Sequence, residues 1–70
     1  MQSPYTAVIQ KTDRWWIGWI EEVPGVNSQG KTRAELIENL QSALEEMLEL
    51  NRAQAKAAAN GSFEEVSIAV

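Results

Sequence analysis

Cysteine and histidine are both absent from this chain of 70 residues, and each absence excludes a class of chemistry. Disulfide staples, thiol catalysis, cysteine or histidine zinc sites and imidazole acid–base catalysis all lack their residues. Nowhere is there a run of about 18 apolar residues of the kind a membrane span requires. The opening MQSPYT has neither the basic start nor the apolar core of a signal peptide. A soluble, cytoplasmic protein is expected. Positive charge is also scarce, with six Lys and Arg against ten Asp and Glu, a net charge of −4. A nucleic-acid binder normally carries a basic patch, so an acidic chain of pI 4.6 points to solubility or to a basic protein partner.

What is present is enough for one globular domain over residues 1–70: 44% of residues are hydrophobic. The first half reads as strands. Tyr5 to Lys11 mixes apolar and polar residues, and Trp15 to Ile20 is aromatic and β-branched, with Thr12, Asp13 and Arg14 as a hairpin loop between them. Pro24-Gly25 supplies a turn into a short third strand, Val26 to Gln29, which ends at Gly30. Thr32-Arg33-Ala34-Glu35 then has the form of a capping box, in which the Thr32 hydroxyl and the Glu35 carboxylate satisfy two free amides reciprocally.

A helix follows. Leu36, Ile37, Leu40, Leu44, Met47 and Leu48 fall within about 120° of one another at 100° per residue, while Glu35, Glu38, Glu45, Glu46 and Glu49 lie on the opposite side. Alanines carry helical propensity to residue 59, and Asn60-Gly61 is a stop. A helix over 33–59 is long for so small a domain, so its last turns should overhang the sheet. Phe63 to Val70 alternates and reads as a last strand joining the sheet. The fold class expected is α+β, in the order β-β-β-α-β, with one long helix on one face of a small sheet.

No catalytic, cofactor-binding or metal-ligating residues emerge from this pattern. The first strand contains no acid, the serines and threonines have no histidine to activate them, and no GxSxG elbow is present. Gly25 and Gly30 are too few and too far apart for a phosphate loop. The expectation is a protein that is not an enzyme.

The informative feature is the triple tryptophan. Alternation sends Trp15, Ile17 and Trp19 to one face and Trp16, Gly18 and Ile20 to the other. Gly18 allows a helix to approach, which assigns the Trp16 face to the core. Either hairpin and loop cover bury the Trp15–Ile17–Trp19 face, or it is a surface for a partner or a second copy, most simply as a dimer. Glu45, Glu46 and Glu49 form either a solvated helix face or an attraction for a basic partner.

These motifs resemble a known family. YTAVIQK, WWIGWIEEVPG, and SQGKT leading into AELIENLQSALE are similar to the HicB antitoxins of toxin–antitoxin systems. The resemblance runs through Tyr5, Ile9, Lys11, Trp16, Ile20, Glu22 to Gly25, Ser28 to Gly30, Thr32, Glu35, Leu36, Glu38, Asn39 and Leu44. Glu21 stands where that family often has proline, and Val26 where it often has cysteine. The resemblance implies a partial RNase H-like fold without catalytic acids. It also implies a protein-binding module that neutralises a HicA-like toxin, a small basic mRNA-cleaving protein, by steric masking. HicB proteins usually add a C-terminal DNA-binding domain, which this sequence does not show, so no DNA binding is expected of it. The second reading is an orphan self-associating structural or interaction domain without a toxin partner. A nuclease remnant of the RNase H type is third.

Overall fold

A computed structural model describes residues 5–69. Three strands, β1 (Ala7–Lys11), β2 (Trp16–Ile20) and β3 (Asn27–Gly30), are followed by one helix, α1 (Arg33–Ala57). The sheet is antiparallel in the order β1-β2-β3, so β2 is central and both outer strands are edges. In register, Ile9 faces Gly18 and Gly18 faces Ser28, while Val8 faces Trp19 and Trp19 faces Asn27.

Local chemistry explains each junction. Thr12 and Trp15 close the first hairpin. The Thr12 N–H donates to the Trp15 carbonyl at 2.7 Å, and the Trp15 N–H donates to Thr12 Oγ1 at 3.2 Å. Trp15 therefore belongs to the turn rather than to β2, one residue short of the expected strand start. At the second turn Gly25 has φ +89°, a left-handed value that Cβ-bearing residues adopt only at a cost. Val26 precedes β3 instead of opening it, and it is buried. The Ile20 N–H donates to its carbonyl at 3.0 Å, closing the turn beneath the helix.

Half of the expected capping box forms. The Glu35 N–H donates to Thr32 Oγ1 at 3.1 Å, but the Glu35 carboxylate accepts from the Lys31 N–H at 3.4 Å, one residue outside the cap. At the other end the helix finishes at Ala57, two residues early, with Ala58 as its cap. Gly61 follows with φ +103°, where the chain reverses.

α1 lies across β2 and β3. The core is small: Ile20, Val26, Leu36 and Leu40 are buried, with Tyr5, Ile9, Trp16, Val23, Ala43, Leu44 and Met47 packed against them. Gly18 does admit the helix. A Cβ there would stand 3.2 Å from Leu40 Cδ1 and 2.9 Å from the Val8 carbonyl oxygen. Gly30 is tighter still, since a Cβ would meet the Leu36 backbone nitrogen at 2.6 Å. Two glycines thus set the height at which the helix rides over the sheet. Of the expected stripe, Ile37 sits at the flank and stays 39% exposed.

The fourth strand does not form. Residues 63–69 carry no strand pairing, and Val70 lies outside the described residues. The cause is the helix length. α1 rises roughly 37 Å over its 25 residues, and its half-buried side chains end at Leu48. The chain therefore leaves the helix well beyond the sheet, where no strand edge is available to pair with. It runs back instead along the overhanging turns, with Glu65 Oε1 3.4 Å from Lys56 Nζ. Among the described residues the order is β-β-β-α, and no helix is long and apolar enough to cross a membrane.

Candidate protein-interaction surface

The register divides the sheet into two unlike faces. Ile9, Trp16, Gly18 and Ile20 point toward α1. Val8, Gln10, Ile17, Trp19, Asn27 and Gln29 point away from it, and no element of the described residues covers them. Trp15 extends this outer face by one pair, because its bonds with Thr12 continue the alternation past the end of β2. Trp15 and Trp19 are each 40% exposed, and Ile17 between them is half-buried by its neighbours. The result is an apolar ridge of Val8, Trp15, Ile17 and Trp19 bordered by three neutral amides.

The amide border has a local origin. β3 (NSQG) contains no large apolar side chain, so the row beside β2 is polar by composition. Its position is anchored from behind, where Asn39 Nδ2 of α1 donates to the Gln29 carbonyl at 2.9 Å. At the far end of the ridge, the Glu21 N–H donates to the Thr6 carbonyl at 2.9 Å, and the Thr6 N–H donates to Glu22 Oε1 at 2.7 Å. That backbone hydrogen bond holds the exposed Glu22 carboxyl below its ordinary value of 4.5, against a smaller opposing effect of desolvation. Continuing the alternation places Glu21 at the rim of the aromatic face, the acid nearest to Trp19 along the chain.

Glu45, Glu46 and Glu49 are exposed on α1. Leu36, Leu40 and Met47 turn inward, so helical spacing sends Glu45 and Glu49 to the side away from the sheet. Glu45 Oε1 accepts from Gln41 Nε2 at 3.4 Å, and Glu46 borders a shallow groove with Val26, Ala43, Met47 and Leu50. Trp15, Ile17 and Trp19 on one hand and Glu45 and Glu49 on the other therefore lie on opposite sides of the molecule, with Glu46 at the flank. At least the diameter of a helix, about 10 Å, separates them. One flat partner does not cover both.

No protein-family model, no curated protein and no solved structure matches this chain. The surface has to be read on its own geometry. Among the described residues no three Asp or Glu converge as metal ligands would. The rim acid Glu21 follows from the alternation of β2 alone, whereas Val8 and the amides Gln10, Asn27 and Gln29 join the face only once strand register is known.

Proposed function

We propose that this chain is an antitoxin-like protein-binding module of the HicB kind, which neutralises a HicA-type mRNA-cleaving toxin by steric masking. The observation that carries the reading is the uncovered aromatic face. Two tryptophans, an isoleucine and a valine stand together on a sheet whose other side already holds the core. A surface of that kind binds through buried aromatic anchors with a polar rim around them. The toxin's RNA-binding surface must be basic to neutralise phosphates, and the chain's net charge of −4 favours its approach. Within this reading the fold is a partial RNase H-like domain without catalytic carboxylates, and the protein is not an enzyme.

Within this reading the two residue sets have different roles. Trp15, Ile17 and Trp19 form the contact. Glu45 and Glu49 face away from it, beyond the Debye length of about 8 Å at physiological ionic strength, so they steer the encounter only at low salt. Binding kinetics with a HicA-type toxin test this division. Replacing Glu45 and Glu49 by Gln leaves association unchanged at physiological salt and slows it at low salt. Association slowed at both salt levels would place the contact on the helix face instead.

The second reading, an orphan self-associating domain, is favoured by a separate observation: the open edge of β1 and the exposed apolar residues after α1.

A further inference from the structure

A groove opens on the side of the core away from the β2–β3 turn. Because α1 lies over β2 and β3, the inner side of β1 is left partly uncovered. A concavity of about 280 Å³ remains there, lined by Tyr5, Ala7, Ile20, Ile37, Leu40, Gln41 and Leu44. No lining residue is charged. The strand beside the groove is also unpaired. The hydrogen bond from the Glu21 N–H to the Thr6 carbonyl sets the phase of the ladder. Thr6, Val8 and Gln10 therefore bond toward β2, and the N–H and C=O groups of Ala7, Ile9 and Lys11 point to the open edge. Nothing among the described residues pairs with them.

The chain contains a segment of matching chemistry. Val66-Ser67-Ile68-Ala69 is uncharged, and Val66 and Ile68 alternate onto one side while standing 70% and 79% exposed. In the structure it stops short of its own groove. Glu65 stands beside Lys56 in an exposed ion pair, and four extended residues beyond it cover roughly 13 Å. That is about nine helical residues at 1.5 Å each, which brings Ala69 level with Met47. The groove lies further on, between Ile37 and Leu44.

We propose that the groove receives residues 66–69 of a second copy of this chain. The segment adds as a strand to the free edge of β1, with Val66 and Ile68 set among Ile20, Ile37, Leu40 and Leu44. The exchange is reciprocal, so a two-fold dimer closes both edges at once. This interface is separate from the aromatic face and does not rest on the masking reading. The aromatic face stays free in the dimer.

Cysteine cross-linking of the full chain tests it, since the protein has no cysteine of its own. Gln41→Cys lines the groove and Ala69→Cys lies at the end of the segment. Mixed and oxidised at micromolar concentration, the two variants form a covalent heterodimer that neither forms alone. In the double variant, a monomer bridged internally, or a mixture that forms no bridge, overturns the proposal. Sedimentation supplies a second readout. Ile68→Asp, at an exposed site that leaves the monomer's circular dichroism unchanged, weakens the dimer by roughly tenfold or more. Trp19→Ala leaves the dimer intact. A dimer that survives Ile68→Asp and is lost in Trp19→Ala would place self-association on the aromatic face and contradict the exchange.

Discussion

Replacing Trp19 by alanine separates the two halves of that side chain's role, because it is partly covered and partly free. A tryptophan can bury about 150–250 Å², and at 40% exposure roughly 120 Å² of Trp19 is covered within the fold while about 80 Å² is left. At about 25 cal/mol per Å², the covered part contributes at most about 3 kcal/mol to stability. Residual compactness of the unfolded chain lowers this to about 2 kcal/mol. The exposed part contributes about 2 kcal/mol to any complex that buries it, roughly thirtyfold in Kd. Trp19→Ala should thus lower Tm by on the order of 10 °C, yet remain folded at 25 °C. It should also speed dissociation of a complex through the outer face. Leu36→Ala is the comparison. Leu36 is 0% exposed, so its truncation costs about 2–5 kcal/mol and should unfold so small a domain. Thermal circular dichroism on the free variants, followed by dissociation kinetics, reads both quantities. A Trp19→Ala protein as unstable as Leu36→Ala would make Trp19 a core residue. One that dissociates at the wild-type rate would remove it from the contact.

Other consequences are open to simpler assays. Gly30→Ala should destabilise by about 1–3 kcal/mol, because its Cβ would meet the Leu36 backbone nitrogen at 2.6 Å and backbone cannot swing aside; an unchanged denaturant midpoint would contradict this. Thr32→Ala removes the oxygen that accepts from the Glu35 N–H and should cost about 1 kcal/mol by the same measurement. The Glu22 carboxyl is held below 4.5 in the fold, so its stabilising effect is complete above that value and lost as pH falls through the lowered one. Glu22→Gln should therefore show a shallower loss of stability on acidification below about pH 4.5 than the wild type; parallel acid titrations would refute the Thr6–Glu22 hydrogen bond.

Where residues act on their immediate neighbours, the sequence is readable. Thr32 caps the helix because its hydroxyl lies three residues before the Glu35 amide, and Pro24-Gly25 turns the chain because Gly25 accepts positive φ. Gly18 marked the core face correctly, since only a missing Cβ leaves room for Leu40. The overhang of α1 also followed from its length against a small sheet. The last strand did not, although Phe63 to Val70 alternates well. Alternation reports which side chains could share a face, whereas pairing needs an edge within reach, and α1 carries the chain past every edge. The same limit applies to the surface. Trp15, Ile17 and Trp19 could be grouped along one strand, and Gly18 puts the helix on the opposite side of the sheet, but Val8, Gln10, Asn27 and Gln29 join them only through the register of β1 and β3.

Inhibition of RNA cleavage tests masking most directly. The assay pairs an mRNA substrate with a small basic HicA-type toxin as the enzyme. Titrating the protein against the toxin should abolish cleavage at a fixed molar ratio. Folded Trp19→Ala should require a roughly thirtyfold higher concentration at toxin levels below Kd. Undiminished cleavage in a large excess of the wild-type protein, or equal inhibition by wild type and Trp19→Ala, would contradict masking through the aromatic face.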